Sequence, residues 1–194
     1  MTTATQHHNS DVREHILATG QRIMAGKGFS AVGLNEILKD AGVPKGSFYH
    51  YFGSKEAFGV AMLERYFEDY LAELDSTLSQ PGFNMSQRLM NYWQQWQASQ
   101  SFSDCQGKCL AVKLGAEVAD LSDTMRLTLQ SGTSGIISRL ARSLEAGVSE
   151  GSLTIEGKHD AVAQRLDQIW LGAIGMVKVV RNIGPFVSAM ETTR

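Results

Sequence analysis

Residues 43–58 read VPKGSFYHYFGSKEAF, and the interpretation of the whole chain starts from this stretch. It places five Phe or Tyr rings, one histidine and two lysines within sixteen positions. Such a mixture of aromatic and polar residues suits either a half-buried strand or a surface that contacts nucleic acid. The segments on either side decide between these two interpretations.

The preceding residues have the pattern of two helices. Residues 1–9 are polar and without periodicity, so we expect a flexible arm there. Apolar residues then recur at helical spacing from Asp11 until Gly26 and Gly28 end the first helix. A second, short helix is marked by a further apolar stripe, formed by Leu34, Ile37 and Leu38.

A turn and a third helix follow. Gly42 supplies the turn, and Pro44 suits the first position of a helix because its ring fixes φ near the helical value. A long helix, a short helix, a tight glycine turn and another short helix together predict a helix-turn-helix at about residues 33–52. In this helix Lys45, Tyr49 and Phe52 fall near one face, while Phe48 points back towards the first two helices. Phe48 and Phe52 are both assigned to the core.

The rest of the chain predicts more helices and no strands. It has 194 residues, 43% of them hydrophobic, and only three prolines. Helical patterns occupy residues 55–78, with Ser54 as N-cap, then 84–100, 109–119, about 122–147 with Ser122 as N-cap, and about 159–181. The predicted fold class is therefore all-α. The predicted domains are residues 10–56, carrying the helix-turn-helix, and the larger helical region 57–194.

The charge of the chain and its lack of targeting signals bear on nucleic-acid binding and on location in the cell. The net charge of −2 gives no general reason to bind a polyanion, so any DNA contact must come from local placement. Between Lys39 and Lys55 there are three lysines against the single Asp40. No apolar run is long enough to span a bilayer, and the N-terminus lacks a signal-peptide core. We therefore expect a cytoplasmic protein without a membrane partner.

The sequence gives no indication of a catalytic, phosphate-binding or metal-binding site. The sequence contains no metal-ligand spacing, Gly-rich phosphate loop, nucleophile elbow or pair of catalytic carboxylates. It therefore predicts no metal, no cofactor and no enzyme.

The stretch 43–58 resembles the signature of the TetR family of bacterial transcriptional repressors, and the helix-turn-helix around it has that family's spacing. The resemblance implies a homodimer that binds a pseudo-palindromic double-stranded DNA operator and has a larger helical domain for ligand sensing and dimerisation. It places DNA contacts on Pro44, Lys45, Gly46, Ser47, Tyr49, His50 and Lys55. Lysines and the amides of a helix start attract phosphate oxygens, while Tyr and His each offer a directed hydrogen bond.

A second resemblance lies in residues 107–126, GKCLAVKLGAEVADLSDTMR. This segment is similar to the electrophile-responsive repressors of the same family, typified by the N-ethylmaleimide-reductase repressor. The resemblance assigns the reactive sensor to Cys109. The alternative is that Cys109 is a small core residue, since free cysteine is among the most buried residue types.

Two lysines favour the sensor. Lys113 lies one helical turn after Cys109, and Lys178 interrupts the apolar run 169–180. A lysine in that run must reach water or meet a partner. If the partner is Cys109, the ammonium group stabilises the thiolate and lowers the thiol pKa. We hypothesise that Lys178, or failing that Lys113, activates Cys109 towards electrophiles and oxidants, with Cys105 as a candidate resolving thiol.

Two other functions stay open. Trp93, Trp96, Met125 and Trp170 are candidates for lining a pocket for an apolar inducer that binds without a covalent bond, although they suit an ordinary bundle core equally well. An enzyme with Cys109 as nucleophile is the other alternative, but no histidine lies near that residue in sequence. The last long helix is expected to pair with its symmetry mate in the dimer.

Overall fold

A computed structural model describes the backbone of residues 3–99 and 110–194 and the side chains of residues 11–99 and 110–194. Within these ranges the chain forms nine α-helices and no strand, which confirms the predicted fold class. The helices are α1 (Thr3–Lys27), α2 (Leu34–Ala41), α3 (Lys45–Phe52), α4 (Lys55–Leu78), α5 (Met85–Ser99), α6 (Leu110–Leu121), α7 (Asp123–Ser149), α8 (His159–Val180) and α9 (Gly184–Thr193).

The predicted helix starts at the two serines are confirmed. The Ser54 hydroxyl oxygen accepts the Ala57 N–H at 3.0 Å, and the Ser122 hydroxyl oxygen accepts the Met125 N–H at 3.2 Å. Each bond satisfies one backbone donor that the first turn of a helix leaves without an intrahelical acceptor. Local side-chain chemistry therefore fixes the starts of α4 and α7.

Three details of the prediction were wrong. Helix α1 begins at Thr3, so the expected arm is largely helical; extending an existing helix through residues free of Pro and Gly costs little. Pro44 is the N-cap of α3 and not its first residue, because its ψ of 152° is extended. Helix α9, which was not predicted, carries Pro185 in its first turn, where the missing N–H is harmless.

The described residues fall into two compact units. Unit one contains residues up to Phe67 together with residues 110–130, and unit two contains residues 68–99 and 131–194. Unit one therefore joins α1, α2 and α3 to α6, although α6 is distant in sequence. The predicted domain boundary after residue 56 stays a prediction.

An aromatic core holds α3 in unit one. Phe48 is fully buried, and its ring centroid lies 5.1 Å from that of Phe52 and 5.3 Å from that of Phe58. Gly20 on α1 faces the Phe58 ring so closely that a Cβ there would lie 2.3 Å from its Cζ. Phe52 is also buried, so the expectation that it shares the outward face with Lys45 and Tyr49 was wrong, whereas its assignment to the core is confirmed.

A cluster of tryptophans forms part of the core of unit two. The Trp93 and Trp170 rings stack with centroids 4.8 Å apart and an interplanar angle of 8°. Trp96 meets Trp170 edge-on at 5.3 Å, and Phe186 of α9 closes the cluster. This contact explains how a short final helix without a strong sequence signal is held in place. Among the described residues, no helix has the length and apolarity needed to cross a bilayer.

Candidate nucleic-acid interface

The turn between α2 and α3 sets the direction of α3. Gly42 adopts the left-handed conformation, with φ 64° and ψ 28°, and its N–H bonds back to the carbonyls of Leu38 and Lys39. The Val43 N–H also donates to the Leu38 carbonyl, at 3.1 Å. These bonds satisfy the carbonyls at the end of α2, and glycine adopts this conformation without steric strain.

The outward side of α3 is polar and sparsely covered. We call the exposed residues of this side the reading surface; they are Pro44, Lys45, Gly46, Tyr49 and His50. The Tyr49 side chain is 48% exposed, and the Lys45 ammonium group lies 5.8 Å from the centre of its ring. A Cβ built on Gly46 would have no atom within 4 Å, so the backbone is accessible there. A lysine, a phenol and an imidazole are thus presented together.

Two of the predicted contact residues, Ser47 and Lys55, are less exposed than those of the reading surface. Ser47 is only half-buried, and its backbone N–H donates to the Pro44 carbonyl within the first turn of α3. Lys55 is also half-buried, and its Nζ donates to the Phe29 carbonyl oxygen at 2.8 Å while lying 4.6 Å from the centre of the Phe29 ring. Burial lowers the pKa of Lys55, and the nearby charge of Glu117 opposes that change. The Lys55 ammonium group thus has partners within unit one.

Glu117 of α6 binds the loop between α1 and α2. Its carboxylate oxygens accept the backbone N–H groups of Phe29 at 3.0 Å and of Ser30 at 2.6 Å. Burial by itself raises the pKa of Glu117, but the hydrogen bonds from Ser30 and Phe29 and the charge of Lys55 lower it by more, so the net pKa is lowered. The carboxylate form is therefore the one that this loop stabilises.

Further contacts connect the same elements. The Lys113 ammonium group of α6 donates to the Gly26 carbonyl, and the Ser122 hydroxyl donates to the Glu56 carboxylate. Gly28 has a φ of +93°, and a Cβ there would lie 3.0 Å from a Glu117 carboxylate oxygen. We call Lys113 and Glu117, with residues 26–30, the α6 anchor. It connects the helix that directly follows Cys109 in the sequence to the loop in front of α2.

Sequence reasoning missed Glu117. Its sequence signal was weak: α6 buries Leu110, Leu114 and Val118, and Glu117 lies one turn after Leu114, next to that apolar stripe. A carboxylate beside a buried stripe indicates a polar partner on the neighbouring element. Nothing in the sequence identifies that partner as the α1–α2 loop.

The predicted sensor is described only in part. Cys109 and Cys105 lie outside the described residues, so the pairing of Cys109 with Lys178 or Lys113 stays a prediction. Lys178 is exposed on α8, in unit two. Lys113 is likewise exposed, and its ammonium group meets the Gly26 carbonyl of the α6 anchor.

The predicted pocket residues do not all lie together. Trp93, Trp96 and Trp170 contact one another in unit two and are almost fully buried. Met125 belongs to unit one, where its sulfur lies close to Gly59 of α4. Within the residues whose side chains are described, no three His, Cys, Asp or Glu side chains are grouped so that they could hold a metal ion.

Comparison with known proteins agrees with this architecture. Residues 16–62 match the model of the bacterial regulatory proteins of the tetR family, and residues 86–193 match the tetracyclin repressor-like C-terminal domain. The chain is 44% identical to the HTH-type transcriptional repressor NemR of Escherichia coli over 95% of this chain and 93% of that protein. It is 33% identical to the HTH-type transcriptional repressor DhaR of a Mycobacterium species, over 90% and 86% of the two chains.

A solved structure supports the same assignment. The crystal structure of the reduced form of E. coli NemR superposes with a TM-score of 0.90 over 95% of each chain, at 44% identity. The family consists of regulators and not of enzymes. Because the helix-turn-helix, the helical region that follows it and full-length relatives all agree, the chain belongs to the TetR family of bacterial transcriptional regulators.

Proposed function

We propose that this TetR-family regulator represses transcription by binding a pseudo-palindromic operator as a homodimer, and that modification of Cys109 by an electrophile or oxidant releases it. The observation that carries the proposal is the reading surface, an exposed Lys–Tyr–His set on a helix held from behind by Phe48 and Phe52. Its site of action is the cytoplasm, where the chromosomal operator is found.

The reading surface suits a major groove. Lys45 supplies charge for phosphate oxygens, and the Tyr49 and His50 side chains supply directed hydrogen bonds. The bare backbone at Gly46 lets the first turn of α3 approach DNA closely. In a symmetric dimer, two such helices bind half-sites about 34–36 Å apart or a multiple of that distance.

Exposed apolar residues support the dimer. Near the end of α8 and along the start of α9 the chain exposes Met176, Val179, Val180, Ile183 and Val187. Val179 is 74% exposed, which is unusual for a large aliphatic side chain unless a partner covers it. We assign this face to the interface with a second copy of the chain, as predicted for the last long helix.

The route from sensor to DNA runs through α6. Cys109 directly precedes Leu110, the first residue of α6, so a group attached to its sulfur alters the start of that helix. Because Lys113 and Glu117 of α6 bind residues 26–30, displacement of α6 pulls on the loop that precedes α2 and thereby on the reading surface. A coupling of about 1–3 kcal/mol is enough to weaken operator binding by about 5- to 150-fold.

The resemblance to NemR supports a thiol sensor, since the solved structure of that protein is described as a reduced form. In this proposal the Cys109 thiolate attacks an electrophile such as a quinone or a maleimide. The sulfur bonds to one carbon of the electrophile's C=C double bond as the π bond breaks, and the resulting enolate takes a proton from solvent, which replaces the proton that the thiol lost on ionisation. Lys178, with Lys113 as the second candidate, favours the thiolate by its positive charge.

The test is release of operator DNA by wild type, Cys109→Ser and the matched control Cys105→Ser, each treated with N-ethylmaleimide. We expect wild type and Cys105→Ser to be released and Cys109→Ser to stay bound. Retained release by Cys109→Ser contradicts the thiol mechanism and favours an apolar inducer that binds without a covalent bond. If untreated wild type does not bind the DNA upstream of its own gene, the proposal that the protein is a repressor is wrong.

A further inference from the structure

Three consecutive residues of α1 each contact a different helix of unit one. We call them the α1 triplet; they are Arg13, Glu14 and His15. Successive residues of an α-helix point about 100° apart, so three in a row face three directions. Here those directions lead to α3, α4 and α2, in that order. One short stretch of α1 therefore contacts both helices of the helix-turn-helix and the helix that follows them.

His15 holds the end of α2. Its Nε2 lies 3.1 Å from the carbonyl oxygen of Ala41, the last residue of α2. Because a carbonyl oxygen only accepts, Nε2 carries the hydrogen and donates it. The last carbonyls of a helix have no intrahelical donor, and the turn supplies donors for those of Leu38 and Lys39. The imidazole supplies the donor for the Ala41 carbonyl, directly before Gly42 begins the turn.

Arg13 contacts the far end of α3. The central carbon of its guanidinium group lies 5.5 Å from the centre of the Phe52 ring, and Phe52 is the last residue of α3. That ring packs on Phe48 and Phe58 in the core. A guanidinium group within about 6 Å of an aromatic ring is attracted to it. Arg13 therefore holds the end of α3 against the core while its side chain stays 40% exposed.

Glu14 connects this contact to α4. One of its carboxylate oxygens accepts a hydrogen bond from Arg65 Nε at 2.8 Å, and the other accepts one from Arg13 Nη1 at 3.2 Å. The Arg65 side chain is 28% exposed, so water screens this pair less than it screens an ion pair on the open surface. Glu14 thereby orients the guanidinium group that lies against Phe52.

From these contacts we infer that Arg13 and His15 are positioning residues for operator recognition. Together they hold both ends of the segment 41–52, which contains the turn, α3 and the whole reading surface. Base edges are read by directed hydrogen bonds, which tolerate a displacement of only about 0.5 Å. Attraction to phosphates needs charge and only approximate placement. The α1 triplet therefore acts on the choice of DNA sequence more than on affinity for DNA in general.

The inference rests on the proposed function in one respect, which is that the reading surface binds an operator. The placement of the turn and α3 by α1 is a property of the DNA-free protein, so it is measured without DNA. The two ideas can therefore succeed or fail separately.

The first test is amide hydrogen exchange of the DNA-free protein, followed by NMR at the N–H groups of Gly42 and Val43. Both groups bond to carbonyls at the end of α2. His15→Leu removes the donor to Ala41, and we expect exchange at both amides to become about two- to tenfold faster. His15→Gln places an amide N–H near the former Nε2 and should restore slow exchange. Amides of α5, in unit two, should not change.

The second test compares gel-shift affinity for the operator with affinity for unrelated DNA of equal length. His15→Leu should lower the ratio of these affinities about two- to tenfold per half-site and leave binding to unrelated DNA unchanged. His15→Gln should keep the ratio of wild type. Arg13→Lys keeps the charge and should lower the ratio less than Arg13→Gln does. His159→Leu makes the same chemical change in unit two and is the control.

Three results overturn the inference: unchanged exchange at Gly42 and Val43 in His15→Leu, no recovery in His15→Gln, or equal loss of affinity for operator and unrelated DNA. Circular dichroism shows whether each variant is folded. If wild type prefers no operator, the proposed function is wrong, and the exchange experiment still decides whether His15 positions the turn in front of α3.

Discussion

The Glu117 carboxylate accepts the backbone N–H of Phe29 at 3.0 Å, although the two residues are 88 positions apart in the sequence. The same carboxylate accepts the N–H of the next residue, Ser30. One side chain of α6 thus satisfies two backbone donors in the loop that leads into α2. This bond pair makes α6 a structural part of the unit that carries the reading surface.

Glu117→Ala should destabilise unit one and disturb its DNA binding. It removes two charge-assisted hydrogen bonds, and because water can partly replace them at a half-buried site we expect a loss of about 1–3 kcal/mol in the free energy of unfolding. Denaturant unfolding measures this loss. Asp120→Asn, at an exposed position of the same helix, is the control; equal effects of the two changes contradict a specific role for Glu117.

Acid should weaken the α6 anchor through the same residue. The folded-state pKa of Glu117 is lower than its ordinary value, so its contribution to stability is present above the ordinary pKa and is lost as the pH falls through the folded-state pKa. Stability curves of wild type and Glu117→Gln against pH should therefore converge on the acidic side. Parallel curves across that range contradict the assignment.

Asp167 should have the opposite dependence on pH. Because burial raises its folded-state pKa from 3.8 to about 6, the folded protein holds the proton more tightly than the unfolded chain. Stability is therefore greatest below the unfolded pKa and falls as the pH rises through about 6. Relative to Asp167→Asn, wild type should lose on the order of 3 kcal/mol between these limits. Thermal unfolding of both proteins as a function of pH checks this, and an identical pH profile is the contrary outcome.

Lys45→Ala should weaken operator binding without changing the fold. If Lys45 contacts a phosphate, the slope of log K against log salt decreases in size by about 0.9 per half-site. Gel-shift titrations at several salt concentrations measure this slope. Lys158→Ala, at the exposed N-cap of α8, is the control and should leave the slope unchanged.

Phe48→Ala and Tyr49→Ala should separate folding from DNA recognition, since Phe48 is buried and its neighbour Tyr49 is exposed. Phe48 is fully buried, and truncation should cost about 3–5 kcal/mol of unfolding free energy. Tyr49 is half-exposed, so its truncation should cost far less stability while reducing operator affinity. Unfolding curves and gel shifts on both variants check this pair, and the reverse pattern contradicts the orientation of α3.

The sequence was sufficient where the signals are local. Ser54 and Ser122 predicted helix starts because a hydroxyl cap acts within one turn, and Gly42 predicted the turn because its conformation favours glycine. The partners of Lys55 and Lys113 were not predictable in this way. Each ammonium group meets a backbone carbonyl of a different helix or loop, which only the tertiary arrangement brings within reach.

The tryptophan cluster has a practical consequence. All three tryptophans of the sequence lie in unit two, in mutual ring contact, and unit one has none. Indole emission excited at long ultraviolet wavelength therefore originates from unit two alone. Changes in the intensity of this emission therefore report on unit two without a label. A fluorophore attached to unit one, which carries the reading surface, can be measured at the same time and reports on that unit independently.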